Sequence, residues 1–293
     1  MTSLTVAGSI NMDLVARVPK IPAPGETLLG RELVRHHGGK GANQAVAAAR
    51  LGAAVSFFGA VGDDIFGSEL LQGLRDEGIA VPGVARVAGA SGAALINVGD
   101  DGENAISVLP GANLRAPLPA DDWHASALLL QLEIPLAITL AWALAARRCR
   151  AAVLLNAAPF APLPLQLLQA TDVLIVNEGE WAALEAQVSH DVAARQAVDR
   201  LPWRVVTRGA AGVLAHSRDG ARIELAGVPV DVLDTTGAGD TFCGALAAGL
   251  VGGRPFAEAL ARANRAAGLA CTAAGARGGM PRLEQLEAAL AAR

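Results

Sequence analysis

Residues 127–156 read ALLLQLEIPLAITLAWALAARRCRAAVLLN. A short apolar run at 127–132 gives way to a longer helical stretch at 135–148, and a second apolar run follows at 152–156. Two short buried strands joined through a helix make a parallel crossover, since parallel neighbours need a long connection. The alternation continues in both directions. Further strand candidates lie at 4–10, 54–58, 173–177, 204–207 and 213–216, with helix candidates at 42–51, 67–77, 178–187, 238–250, 255–273 and 282–292. The pattern predicts a single α/β domain over 1–293, with a doubly wound, mostly parallel sheet and helices on both faces. Two segments depart from it. Residues 14–37 carry Pro19, Pro22 and Pro24 before a strand-like 27–34, and 91–109 reads as a hairpin around Gly99-Asp100-Asp101-Gly102. Neither suits a parallel sheet covered by helices, so together they predict a small β-sheet lid beside the main sheet.

Composition narrows the function classes. A chain of 293 residues with 52% apolar and 18% charged residues buries a sizeable core, and a net charge of −4 is too small for a disordered chain. With 24 Lys+Arg against 28 Asp+Glu there is no basic excess to neutralise phosphates, so no nucleic-acid partner is expected. No uninterrupted apolar stretch is long enough for a membrane span. The start, Met1-Thr2-Ser3-Leu4, lacks a basic leader region, and Cys149, Cys243 and Cys271 form no metal or disulfide spacing. A cytoplasmic protein is expected. The absence of Tyr, with six Phe and four Trp, removes the usual stacking platforms for single-stranded nucleic acid.

The strongest local signal is Asp234-Thr235-Thr236-Gly237-Ala238-Gly239-Asp240, which runs into a helix. Small residues let the backbone enter the helix tightly, so that its first amides converge on an anion such as a phosphoryl group. Asp240 in that first turn is favoured by the helix dipole and lies close to the anion, the arrangement of a base for phosphoryl transfer. Taken alone, an Asp after Gly is equally an ordinary helix cap. A second cluster, Gly38-Gly39-Lys40-Gly41-Ala42-Asn43-Gln44, permits close backbone approach to a ligand, with Lys40 and Asn43 as donors. It lacks the spacing of a Walker A loop, and alone it also fits a glycine-rich turn with a solvated lysine. Asn11 and Asp13 follow the first strand, and their spacing puts both on one side, facing a sugar diol or simply ending the strand. Glu133 follows another strand at the same edge. Asn177 and Glu180 share one face of a helix start, suited either to a hydrated Mg²⁺ or to the ordinary preference for acids there. Thr207, Gly209 and Gly212 frame a turn that is as readily a plain hairpin as a nucleotide contact. The histidines are scattered or alternate in direction and make no metal or triad site.

Together these strings resemble the ribokinase-type family of carbohydrate and nucleoside kinases, in the family's order and over essentially the whole chain. The resemblance implies a doubly wound α/β fold with a small β lid and transfer of the ATP γ-phosphoryl group to a sugar hydroxymethyl. A pentose is the expected acceptor, with D-ribose giving D-ribose 5-phosphate first; a deoxyribokinase or another sugar or nucleoside kinase is the alternative. By motif match, Asn11, Asp13, Gly39, Lys40, Asn43 and Glu133 would hold the sugar. Asp240 would be the base, with Gly237, Ala238 and Gly239 as the anion hole. Asn177, Thr207, Gly209, Gly212, Gly239 and Asn264 would line the nucleotide site, and Glu180 would act on Mg²⁺ through water. A monovalent cation, K⁺, would sit at Asp234, Thr236, Ala270, Ala273, Gly275 and Gly279, although Gly279 lacks the serine hydroxyl often found there. The resemblance also implies a homodimer joined through the lids, at 14–37 and 91–109. An intact base and anion turn stand against a non-catalytic sugar sensor. The lack of Gly-x-Gly-x-x-Gly after the first strand stands against a dinucleotide-dependent oxidoreductase.

Overall fold

The structure, a computed structural model, describes residues 3–292; Met1 and Thr2, read above as part of a start without a leader, lie outside the described residues, as does Arg293. The strands are β1 (Leu4–Ala7), β2 (Asn11–Arg17), β3 (Glu32–Gly38), β4 (Val55–Gly62), β5 (Ala80–Val87), β6 (Gly92–Val98), β7 (Asn104–Leu109), β8 (Ala127–Leu130), β9 (Ala152–Asn156), β10 (Val173–Asn177), β11 (Trp203–Thr207), β12 (Val213–Ser217) and β13 (Arg222–Leu225). The helices are α1 (Lys40–Arg50), α2 (Ile65–Asp76), α3 (Leu136–Cys149), α4 (Leu165–Ala170), α5 (Glu178–Val188), α6 (Val192–Asp199), α7 (Ala238–Val251), α8 (Phe256–Ala270) and α9 (Leu283–Ala291).

Nine strands form the large sheet in the order β13-β12-β11-β10-β9-β8-β1-β4-β5, parallel from β5 to β11 and antiparallel at β12 and β13. Its strands are apolar on both faces, as expected where helices cover both sides. Leu4, Val6, Leu129, Leu154 and Ile175 pack with α1, α7 and α8 on one face. Their neighbours Ala7, Leu128, Leu130, Leu155 and Leu174 pack with α3, α4 and α6 on the other. Trp142 anchors this second layer: its ring meets Trp123 edge-on at 5.3 Å, and its indole N–H donates to the Pro117 carbonyl at 2.9 Å. Strand order reverses around β1, whose neighbours are β4 on one side and β8 on the other. Such a reversal opens a crevice at the carboxyl ends of the strands, where ligands bind in open α/β sheets.

The second sheet, β3-β2-β6-β7, gathers the two segments that break the strand–helix alternation. Two polar pins tie it to the large sheet. Ser91 donates through its amide and hydroxyl to Asp64 at 2.8 and 2.7 Å, and its hydroxyl accepts from the Gly62 amide at 2.9 Å. Asn113 accepts from the Ile10 amide at 3.0 Å and donates to the Asn11 side chain at 2.7 Å.

Some boundaries differ from the sequence expectation for identifiable reasons. The apolar run at 4–10 does not make one strand: β1 ends at Ala7, the chain turns at Gly8 and Ser9, and Asn11 opens β2 in the other sheet. Strand β3 starts at Glu32, later than the strand-like 27–34 suggests, and α8 ends at Ala270 ahead of a glycine-rich run. Strand β5 escaped notice because it contains Pro82 and Gly83, which an edge strand tolerates. Among the described residues no helix is long and apolar enough to cross a membrane.

Leu154 is fully buried between β8 and β10. Replacing it with Ala removes contacts that surrounding strands cannot close over, so Leu154→Ala is expected to destabilise the fold by about 2–5 kcal/mol. Denaturant unfolding followed by far-UV circular dichroism measures it; a loss below ~1 kcal/mol would contradict this packing.

Candidate active site

The site begins at the start of α7. Gly237 adopts φ 79°, and a side chain there would run into the Ala276 carbonyl, so only glycine lets the chain turn into the helix at this point. Among the described residues neither the Gly237 nor the Gly239 amide has an acceptor, as expected at a helix N-terminus. The Ala238 amide differs from its two neighbours, donating to the Thr235 carbonyl at 3.2 Å. Two of the three amides assigned to the anion hole are therefore free, and the third is held by a long bond.

Asp240 is buried, and its carboxylate is held from α1. Asn43 Nδ2 donates to Oδ2 at 3.1 Å and Gln44 Nε2 to Oδ1 at 3.0 Å. Gln44 is itself fixed by Asn156 at 2.9 Å and by Gln131 at 2.7 Å. Burial pushes the Asp240 pKa up, against the pull of Lys40, Gln44 and Asn43. That direction suits a proton acceptor, because a carboxylate with raised proton affinity takes a hydroxyl proton more readily. Burial alone would depress the Lys40 ammonium, but Asp240, Glu133 and Glu180 around it outweigh burial and hold its pKa up.

On the other side of α1 the chain must pass β2 closely. Gly39 caps α1 at φ 86°, and a Cβ there would lie 2.8 Å from the Asn11 amide nitrogen. Glu133, just beyond β8, accepts from the Ser9 hydroxyl at 2.6 Å and the Lys40 amide at 2.9 Å, tying this turn to the crevice. Asn11 and Asp13 lie on one face of β2, in the small sheet and not at the end of β1. The Asp13 carboxylate lies over Gly38, which has no side chain to block it. Its pKa is raised to about 6, first by burial, then by Glu133 and Asp240, with Arg277 opposing.

Two cavities adjoin the start of α7. One, of about 140 Å³, is lined by Lys40, Asn156, Asn177, Glu180, Thr207, Gly239 and Asp240. The other, of about 410 Å³, is lined by Gly209, Gly212, Val228, Phe242, Asn264 and Cys271, and shares Thr207 and Gly239 with the first. The larger has mostly apolar walls of the kind that hold a flat ring; the smaller is polar and reaches Asp240. Asn177 and Glu180 form a capping box on α5: Glu180 N donates to Asn177 Oδ1 and Asn177 N to Glu180 Oε2, each at 2.8 Å. The preference for acids at a helix start thus explains much of this pair, leaving one Glu180 oxygen uncommitted on the cavity wall. Burial raises the Glu180 pKa. Asn264 donates to the Ala226 carbonyl at 2.8 Å and so faces the larger cavity as a fixed amide.

Beneath the Gly237 turn, Asp234 accepts from the Thr236 amide and the Gly275 amide, each at 2.8 Å. Burial would raise its pKa, but these hydrogen bonds prevail and hold it below the usual value. Ala270 ends α8, where carbonyls lack intrahelical partners, and its carbonyl occupies the place a Cβ at Gly279 would take. No oxygen-bearing side chain fits at 279 without moving that carbonyl. Ala273 and Gly275 lie in the same connection between α8 and α9. Among the described residues no cluster of His, Cys, Asp and Glu forms a metal site.

Ser9, Gln44, Asn113, Asn156 and Arg277 also belong to this constellation, and sequence reasoning missed them as site residues. Only Gln44 carried a signal: four residues after Lys40, it continues the same helical face.

The chain matches the pfkB family of carbohydrate kinases over residues 1–283. It is 38% identical over 299 residues to a ribokinase of Lactococcus lactis subsp. lactis, covering 99% of this chain and 97% of that protein. The structure of Arabidopsis thaliana ribokinase complexed with ribose and ATP superimposes with a TM-score of 0.89 at 31% identity, covering 99% of both chains. The nucleoside kinase of Methanocaldococcus jannaschii superimposes with a TM-score of 0.90 at 20% identity, covering 100% of this chain and 99% of that one, and shares the fold alone. The chain belongs to the pfkB family of carbohydrate kinases.

The raised pKa of Asp13 has a stability consequence. A carboxyl that binds its proton more tightly when folded, at about 6 against 3.8, penalises the fold at neutral pH. The penalty is full above the folded pKa and disappears below the unfolded one. Asp13→Asn should therefore raise the unfolding free energy at about pH 8, by at most ~3 kcal/mol, and the gain should fade as the pH drops below the unfolded value of 3.8. Calorimetric unfolding of both proteins across this range decides it; a gain independent of pH would remove the titration of Asp13 as its cause.

Proposed function

We propose that this chain is an ATP-dependent sugar kinase that transfers the γ-phosphoryl group to the primary hydroxyl of a pentose, D-ribose first. The observation that carries the reading is the buried Asp240 carboxylate, held by Asn43 and Gln44, where a polar cavity meets the free amides of the α7 N-terminus. Full-length similarity to ribokinases supports ribose over the nucleosides taken by proteins that share only the fold.

In this reading Asp13 accepts hydroxyl protons of the sugar diol, while Asn11, Lys40, Asn43 and Glu133 hold its remaining oxygens around Gly39. The primary hydroxyl lies against Asp240, which takes its proton as the oxygen attacks phosphorus. The Gly237 and Gly239 amides stabilise the charge on the transferred group, joined by Ala238 when its bond to Thr235 opens. Thr207, Gly209 and Gly212 line the phosphates and ribose of ATP, and Asn177 and Asn264 flank the nucleotide. A Mg²⁺ ion, held through water by the free Glu180 oxygen, would neutralise phosphate charge. The ionised Asp234, with carbonyls at Thr236, Ala270, Ala273 and Gly275, is a hard oxygen set that fits a large monovalent cation such as K⁺. Gly279 adds no side-chain oxygen to it. The three unpaired cysteines accord with a cytoplasmic location.

We further read the chain as one α/β domain whose small sheet is a lid and whose functional unit is a homodimer joined through the lids. Paired residues share a face in a sheet, so Val15, Ile96, Ile106 and Val108 stand on the same side of the lid as Asp13. Ile106 and Val108 are each 56% exposed, a cost that a second lid across a two-fold axis removes.

The direct test is a phosphorylation screen of ribose, deoxyribose, fructose and nucleosides with ATP and Mg²⁺, in K⁺ and in Tris buffer. Ribose should be turned over fastest and K⁺ should stimulate; exclusive turnover of a nucleoside would replace the pentose reading. Asp240→Asn keeps the shape and removes the basicity, so kcat on ribose should fall by about 10²–10⁴. Near-normal turnover by this variant would end the assignment of the base.

For the dimer, Ile106→Glu puts a charge into the shared face. Sedimentation equilibrium should give a dimer for the unaltered chain and a monomer for the variant. A monomeric unaltered chain with full activity would overturn this assembly and leave the chemistry standing.

A further inference from the structure

One half-buried charge at the site has no part in the roles above. Arg277 lies between α8 and α9 in a run containing Gly275, Gly278 and Gly279. Its backbone is pinned to α1: Arg50 Nη1 donates to the Arg277 carbonyl at 2.7 Å and the Met280 carbonyl at 3.1 Å. Arg50 is itself held by a fork to Glu77, at 3.0 and 2.5 Å. So anchored, the Arg277 side chain points inward. Its Nε donates to Asn43 Oδ1 at 2.9 Å, and Nη2 reaches the Gly38 carbonyl at 3.5 Å. Burial lowers the guanidinium pKa to about 10 despite the attraction of Glu77, Asp13 and Asp240, with Arg50 adding repulsion. Burying such a charge is costly unless specific partners use it.

Asn43 is the partner that matters. A carboxamide has an acceptor end and a donor end of nearly the same shape, so its neighbours decide which way it faces. The guanidinium can only donate and takes Oδ1; the ionised Asp240 can only accept and takes Nδ2. A flipped Asn43 would set donor against donor at Arg277 and acceptor against acceptor at Asp240. Without Arg277, only one of those two penalties remains.

We propose that Arg277 is a positioning residue that locks the Asn43 carboxamide with its N–H₂ group toward Asp240 and the sugar, and sets a fixed positive charge against the sugar-side carboxylates. The inference rests on the sugar-kinase reading. Two separable effects follow from it. The hydrogen bond from Nε fixes the amide. The charge favours the ionised form of Asp13, which Glu133, Asp240 and burial oppose. His37 is the remaining titratable group that senses the guanidinium, and its pKa is lowered by burial and by Arg277 in turn, against Glu69 and Asp76.

Two variants separate these effects. In Arg277→Gln the amide nitrogen stands as many bonds from Cα as Nε does, so the donor is kept and the charge lost. Arg277→Met matches the glutamine in length and loses both. The measurements are kcat and KM for ribose and for ATP across pH, with thermal unfolding alongside. Arg277→Met should lose about 10- to 100-fold in kcat/KM for ribose, the scale of a hydrogen bond to a charged group, with the KM for ATP unchanged. Arg277→Gln should recover most of that loss at about pH 8, while the acid limb of its kcat/KM profile moves to higher pH. Arg277→Met with unaltered kcat/KM for ribose overturns the proposal, as does Arg277→Gln with an unmoved acid limb. Should Arg277→Met fail to fold, the acid limb of Arg277→Gln decides alone. The unaltered enzyme in the same assay tests the reading beneath: no sugar turned over removes both, whereas normal turnover with indifferent Arg277 variants removes only this role.

Discussion

The contact between α1 and the start of α7 is the constraint on which the rest of the site depends. A side chain at Gly244 would collide with the Gln44 carbonyl and with Ala47, so the two helices meet almost backbone to backbone. Ala42, Ala45, Ala47 and Ala48 of α1 and Ala245 and Ala247 of α7 are buried in this layer. Larger residues would push the helices apart, and Asn43 and Gln44 would lose their reach to Asp240. The buried Ala-rich face is thus what allows a carboxylate to be taken out of water with two amide donors to meet it. Desolvating an ion costs several kcal/mol, and the cost is offset only where such partners are already in position.

The second requirement is that two sheets converge on one crevice. Asp240 and Glu133 belong to the frame of the large sheet, while Asn11 and Asp13 belong to β2 of the small one. The chain crosses from one sheet to the other within Gly8, Ser9 and Ile10, and each of these is fixed. Gly8 donates to the Phe58 carbonyl at 3.0 Å, Ser9 holds Glu133, and Ile10 is bonded to Asn113. With Asp64 and Ser91 at the other end, the small sheet is tied by hydrogen bonds beside the large one, and this fixes where Asp13 lies relative to Asp240.

How much of this was legible in the sequence depends on how far apart the partners lie along the chain. The central strands were readable, because strands covered on both faces are apolar throughout and short. The turns at 38–44 and 234–240 were readable as well, because tight entry into a helix is a local matter of glycine and small residues. The polar network was not. Asn43 and Asp240 are 197 residues apart, and Arg277 and Asn43 are 234 apart, so no local spacing announces either bond. Asn11 and Asp13 were legible as a pair on one side of a strand, but their sheet was misread, since nothing in 4–10 marks where the chain leaves β1. Strand β13 was lost for another reason: Arg222 and Glu224 alternate with half-buried Ile223 and Leu225 on a sheet edge, where charge is ordinary.

The turn at 234–240 is held by hydrogen bonds from several parts of the chain. Asp234 gathers the Thr236 and Gly275 amides, and the Cys271 carbonyl accepts from the Leu233 and Asp234 amides at 2.8 and 3.2 Å. The segment that follows α8 is thus bonded to the segment that precedes α7, and Arg277 extends from the same connection to Asn43 on α1. Three stretches remote in sequence fix one another through hydrogen bonds, with little bulk among them. Small residues close the distances, but they offer no side-chain contacts that would resist displacement. Position here therefore rests on hydrogen bonds to charged groups: the ionised Asp234 holds amides from both segments, and the Arg277 guanidinium reaches Asn43 and the Gly38 carbonyl. Neutralising Asp234 would leave the covalent path intact while weakening the bonds that fix the start of α7, and phosphoryl transfer depends on positioning of that kind.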